Sequence, residues 1–175
     1  MQRHEMSFVV DATPAEVWSL LWPPAPALGP GKIETRSFGG VHIEIIHQGD
    51  AIHEGLVRHC RYPVPRFLLS GGVAESWEIV TDVIPNVSSR YRAVTKPPFA
   101  TAEGTQTLED LNDGRTKITV TETYSMTNRL LRPVLEDYLH RVISRDNDHL
   151  IRSGLELGVA YLRSLQVEPK NPDPA

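Results

Sequence analysis

The change of hydrophobic period along this chain restricts its fold more than any other feature. From Pro133 to Leu165 apolar residues, among them Leu135, Leu139, Val142, Leu150, Ile151, Leu155, Leu162 and Leu165, recur at intervals of three and four. That spacing gathers side chains on one face of an α-helix. At 1.5 Å per residue such a helix runs roughly 50 Å. Most of what precedes it alternates with a period of two. His4, Met6, Phe8 and Val10 alternate with Arg3, Glu5, Ser7 and Val9, and Val41, Ile43 and Ile45 with His42, Glu44 and Ile46. Further strands are predicted over 53–62, 73–83, 88–95, 101–111 and 115–126. A long amphipathic helix following many strands has one large surface on which to bury its apolar face, the sheet those strands make.

Short connections between consecutive strands imply antiparallel pairing rather than crossover units. The clearest hairpin joins 101–111 to 115–126 through Asn112-Asp113-Gly114, a strong turn signal. Thr13-Pro14-Ala15-Glu16 reads as a capping box with proline at the first helical position. A short helix follows it, with Val17, Leu20 and Leu21 on the inner face, and Pro23-Pro24 stops it. Pro23 to Gly40 reads as a loop with room for one short turn of helix. The expected class is α+β, a curved antiparallel sheet of about seven strands around one long C-terminal helix. Residues 1–166 form one domain on this reading. The proline-rich tail 167–175 is expected to be disordered.

Composition removes several function classes. Apolar residues make up 40% of the 175 and charged residues 23%, as in a folded globular chain. The formal net charge is −4, and the basic residues are scattered rather than gathered into the stripe that nucleic-acid binding needs. Cys60 is the single cysteine, so no intrachain disulfide forms. A reducing compartment and a cytoplasmic location are expected, since residues 1–10 hold no secretion-signal pattern and no segment has the length of a membrane span. His42, His47, His53 and His59 lack the helical pair spacing or cysteine partners of a metal site. With no glycine-rich phosphate loop or nucleophile elbow present, neither metal nor cofactor is expected.

Three segments carry a family likeness. Ala12-Thr13-Pro14-Ala15-Glu16-Val17-Trp18, Gly55-Leu56-Val57-Arg58-His59-Cys60, and Gly104-Thr105-Gln106-Thr107-Leu108 with Thr116-Lys117-Ile118-Thr119-Val120 stand in the order strand, capped helix, strands, long helix. The chain from His4 to Leu165 resembles the helix-grip fold of the START/SRPBCC superfamily, in particular its polyketide cyclase/dehydrase-like branch. The resemblance implies binding of lipids, sterols, polyketides or other apolar molecules between sheet and helix. It also implies that a minority of members are enzymes and that others serve as partners of other proteins. Residues 23–40 depart from the pattern, in which a second short helix is usual.

A cavity between sheet and helix is mostly apolar with a few orienting polar groups, so polar residues in phase with core positions are the candidates. Glu122 follows Ile118 and Val120 on one strand face and is expected to point inward, as a ligand anchor or a general acid/base. Arg58 is its candidate partner if Leu56, Cys60 and Tyr62 face inward. If Val57 marks the inner face instead, His59 points in. Asp146 and Asn147 interrupt the apolar line of the long helix near Val142. Trp77, Tyr91, Tyr124 and Tyr138 are in phase with core positions and either line the pocket or fill it. Gly154 and Gly158 share a helix face, and glycine there costs about 1 kcal/mol against alanine, which points to close approach of helix to sheet. Three functions are expected in order: a binding protein for a small hydrophobic ligand, a cyclase or dehydratase using Glu122 and Arg58, and an interaction module.

Overall fold

The computed structural model describes residues 2–23, 33–38, 41–63, 66, 71–96, 99–126 and 132–167. Its elements are β1 (Gln2–Val10), α1 (Pro14–Leu21), β2 (Glu34–Phe38), β3 (Val41–His47), β4 (Val57–Pro63), β5 (Val73–Ile84), β6 (Ser88–Thr95), β7 (Phe99–Asp110), β8 (Thr116–Met126) and α2 (Arg132–Val167). The strands form one antiparallel sheet in the order β1-β8-β7-β6-β5-β4-β3-β2. Both helices pack on its inner face. This is the helix-grip arrangement.

The capping box forms as read. Thr13 accepts from the Glu16 amide at 3.4 Å, and Glu16 accepts from the Thr13 amide at 2.8 Å. In the β7–β8 turn, Asp110 accepts from the Asn112 amide at 2.8 Å, and Gly114 takes the positive φ of 82° that closes the turn. Phe8, Val10, Ile118 and Val120 from the sheet, Val17 from α1, and Leu155 and Val159 from α2 make the larger core cluster. Burying one such side chain contributes about 1.5–3 kcal/mol. A second cluster, Trp22, Ile45, Leu56, Val80 and Val83, lies toward the other edge of the sheet.

Three local readings change. An eighth strand, β2, falls in the stretch read as loop. It pairs with β3 along its length, and Thr35, Arg36 and Ser37 gave it no apolar alternation to detect. The strand expected from His53 begins instead at Val57, because 49–56 is a tight turn. Asp50 there accepts from the amides of Ile52 and Glu54, both at 2.9 Å, and Gly49, His53 and Gly55 take positive φ. Gly158 meets α1 rather than the sheet: a Cβ added there would lie 3.0 Å from Leu20 Cδ1. The tail 168–175 lies outside the described residues.

Candidate functional site

The inner face of the middle strands is built from small residues. Register aligns Tyr124, Ala102, Ala93, Glu78, Arg58 and Ile45 in one row across the sheet. A neighbouring row carries Glu122, Gly104, Tyr91 and Val80. The next on the other side carries Thr95, Ser76, Cys60 and Ile43. Because alanine, serine and glycine fill the middle of these rows, sheet and helix do not close on each other there. A cavity of about 410 Å³ lies between the two core clusters, within the usual range of roughly 300–1,000 Å³ for small-molecule sites. Leu20, Leu21 and Trp22 of α1 and Leu150 and Ile151 of α2 complete its wall.

Two polar groups of residues stand on this wall. In the first, Arg58 Nε donates to Glu78 Oε2 at 2.7 Å, and Ser76 Oγ donates to Glu78 Oε1 at 2.7 Å. The Arg58 guanidinium lies 5.7 Å from the Trp22 ring centroid and 6.0 Å from that of Tyr91. Rings on which a guanidinium packs hold its plane and favour its charge. Burial is the largest single influence and works against that charge, but Glu78 together with Cys60 and Tyr91 outweighs it, and the Arg58 pKa rises above its ordinary value. Among the described residues, the bond to Glu78 is the only hydrogen bond Arg58 donates. Arg58 is one of the residues that line the cavity. Burial, then the nearby Glu78 carboxylate, push the Cys60 thiol up to about 12.

In the second group, Tyr91 Oη donates to Glu122 Oε1 at 3.0 Å and Tyr124 Oη donates to Glu122 Oε2 at 2.6 Å. Glu122 is 6% exposed. Burial first, then the Glu122 charge, hold both phenols protonated well above the usual tyrosine range. Three further buried polar atoms on residues lining the cavity have no hydrogen-bond partner among the described residues: Trp22 Nε1, Thr95 Oγ1 and Gln106 Nε2.

The structure brings Arg58, Cys60, Tyr91, Glu122 and Tyr124 to one cavity. It selects the phase of β4 in which Leu56, Arg58, Cys60 and Tyr62 face inward. Arg58 does not take Glu122 as its ion-pair partner; Glu78, directly across the β4–β5 ladder, does. Trp77 is not in the cavity. It lies on the outer face, 42% exposed, stacked on His59 with ring centroids 4.6 Å apart and planes at 7°. His59 bridges Glu44 at 3.1 Å and Glu75 at 3.2 Å on that outer face. The reason is the phase of β5. Ala74, Ser76, Glu78 and Val80 point inward, and the bulkier apolar Trp77 and Ile79 point out. Glu78 and Ser76 were therefore missed. The signal that would have found them is Val80, in phase with both and facing a partner sheet position occupied by Tyr91. The side chains of Tyr138, Val142, Asp146 and Asn147 on α2 lie outside the described residues. The acidic group seen to engage the sheet from this helix is Asp148, 2.8 Å from His4 Nε2 on β1. No cluster of three or more histidine, cysteine or acidic side chains suited to a metal ion occurs among the described residues. No helix among them is long and apolar enough to cross a membrane.

No family model matches the sequence, and no curated protein does. Solved structures do match. The Zhui aromatase/cyclase from a Streptomyces species superposes with a TM-score of 0.66 at 17% identity, covering 94% of this chain and 97% of that one. The protein TTHA0849 from Thermus thermophilus gives 0.63 at 16% identity, with 92% and 99% covered. Ara h 8.0201 gives 0.60 at 16% identity, with 91% and 98% covered. At such identities the likeness establishes the helix-grip fold over nearly the whole chain, and the fold alone.

Proposed function

We propose that this protein binds a small, largely apolar ring compound bearing oxygen acceptors, held in the cavity between sheet and α2 with Arg58 as its polar anchor. The observation that carries this reading is the geometry of Arg58. Its Nε is committed to Glu78, its guanidinium lies 5.7 Å from the Trp22 ring centroid and 6.0 Å from that of Tyr91, and the residue lines the cavity. A fixed guanidinium whose two amino groups make no hydrogen bond among the described residues matches paired oxygens, as on a carboxylate, a 1,3-dicarbonyl or an ortho-oxygenated ring. The apolar wall supplies most of the affinity. A plain acyl chain leaves the Arg58 guanidinium without a partner oxygen. Of lipids, sterols and polyketide-like compounds, the last fit best, which agrees with the Zhui protein being an aromatase/cyclase.

Native mass spectrometry of the protein purified from its own host tests this. An adduct of a few hundred daltons that is lost on denaturation supports the reading and begins to identify the ligand. A long-chain lipid as the adduct contradicts it.

Glu122 favours a second reading, an enzyme acting on the same class of compound. A buried carboxylate beside two phenols is a proton acceptor positioned against a bound ring, and enolisation or dehydration needs little beyond orientation and one such group. Conversion of a bound polyketide-like substrate by the wild type, abolished in Glu122→Gln while binding persists, supports it. Turnover unchanged by that substitution removes Glu122 from the chemistry.

A further inference from the structure

Tyr91 sits on β6 and its hydroxyl partner Glu122 on β8, with all of β7 between them. Two strand spacings separate their backbones, about 10 Å. A tyrosine side chain spans that gap only by lying flat over the intervening strand. The residue under it is Gly104, in register with both. A Cβ added to Gly104 would lie 2.1 Å from Tyr91 Cε1, 2.6 Å from Cζ and 2.9 Å from the hydroxyl. Gly104 itself cannot retreat, because β6 and β8 hold it through both ladders. The same Tyr91 ring also faces the Arg58 guanidinium. One side chain thus touches both polar groups of the cavity, and one glycine decides where it lies.

We propose that Gly104 is the specificity-determining residue of the cavity: by having no side chain it keeps the Tyr91 ring down on the sheet, bonded to Glu122, and leaves the space above the ring to the ligand. The proposal rests on the reading of the cavity as a ligand site. In Gly104→Ala the ring must rise off the sheet by more than an ångström to restore ordinary contact. It rises into the cavity, since the strand closes the other side. The floor becomes shallower, and Tyr91 leaves Glu122. Larger ligands then lose more than small ones.

The test is a double-mutant cycle read by binding of two apolar probes, 8-anilinonaphthalene-1-sulfonate and the smaller 2-naphthol. Gly104→Ala is expected to weaken the larger probe by about tenfold or more, the usual scale of overpacking by one methyl, and to leave 2-naphthol nearly unchanged. Tyr91→Phe retains the ring and therefore retains the size preference of the wild type. In a Tyr91→Ala background, adding Gly104→Ala has no effect on either probe, because no ring remains to displace. Equal loss of both probes, or the same loss in the Tyr91→Ala background, overturns the proposal and leaves Gly104 a requirement of the strand alone. Binding of neither probe by the wild type overturns the cavity reading and the specificity role with it. In that case melting temperatures of wild type, Gly104→Ala, Tyr91→Ala and the double variant still report whether Tyr91 needs the glycine, so the two failures are distinguishable.

Discussion

Replacing Glu78 by leucine isolates the energetics of the cavity's ion pair. Leucine keeps approximate volume and accepts no hydrogen bond. Arg58, 23% exposed and lining the cavity, then loses its counter-charge, and Ser76, 2% exposed, loses its acceptor. Removing one partner of a buried pair costs about 3–5 kcal/mol. The cavity gives water some access to Arg58, which places its part near the lower end, and the orphaned serine adds about 1 kcal/mol. A loss of about 4 kcal/mol corresponds to a fall in melting temperature of about 10 °C for a chain of this size. Adding Arg58→Met to Glu78→Leu removes the stranded charge and should recover at least about 2 kcal/mol. Urea denaturation followed by tryptophan fluorescence and far-ultraviolet circular dichroism measures all four proteins. A Glu78→Leu protein within about 1 kcal/mol of wild type refutes this account of Arg58, as does strict additivity of the two substitutions.

Other outcomes follow from the same geometry. Thr13→Ala removes the α1 cap and should lower stability by about 1 kcal/mol, read as a shift in urea midpoint at unchanged slope. Trp77→Thr should leave probe affinity within about twofold of wild type, because this residue faces away from the cavity; a larger change places Trp77 at the site after all. Cys60 has its thiol raised from 9.0 to about 12, so the folded state holds a proton that the unfolded state releases earlier. Its contribution to stability is complete below pH 9 and is lost as pH rises toward 12. Wild type should therefore lose stability over that window faster than Cys60→Ala, and the native thiol should resist disulfide reagents at pH 8.

The fold was legible because its signals are local and mechanical. A capping box fixes where α1 starts whatever packs on it, and Asn112-Asp113-Gly114 fixes a turn and through it the register of β7 against β8. Glu122 was legible for the same reason, since Ile118 and Val120 set the phase of its strand. Two things were not. Strand β2 carries Glu34, Thr35, Arg36 and Ser37, whose inward members are charged. Glu34 is buried and bonds Arg36 and Gln48, so polar residues stand where the apolar pattern is sought. On β5 the bulkier apolar side chains lie outside and the small or charged ones inside, because a cavity needs room and an anchor where a filled core needs bulk. Hydrophobic phase thus misleads at the strand that builds the site. Arg58 stood at the point where the two phases of β4 were open, and only the register with Glu78 settles it.

The most direct test of the central claim is the thermal shift produced by a panel of hydroxylated naphthoic acids on the wild type and on Arg58→Met. A compound present at a hundredfold its dissociation constant adds about 2.7 kcal/mol to stability, which should raise the melting temperature by about 5–10 °C. At least one compound is expected to do so with the wild type, and Arg58→Met should lose most of that rise. No shift from any compound, or an equal shift in both proteins, would contradict an oxygenated ring compound anchored at Arg58.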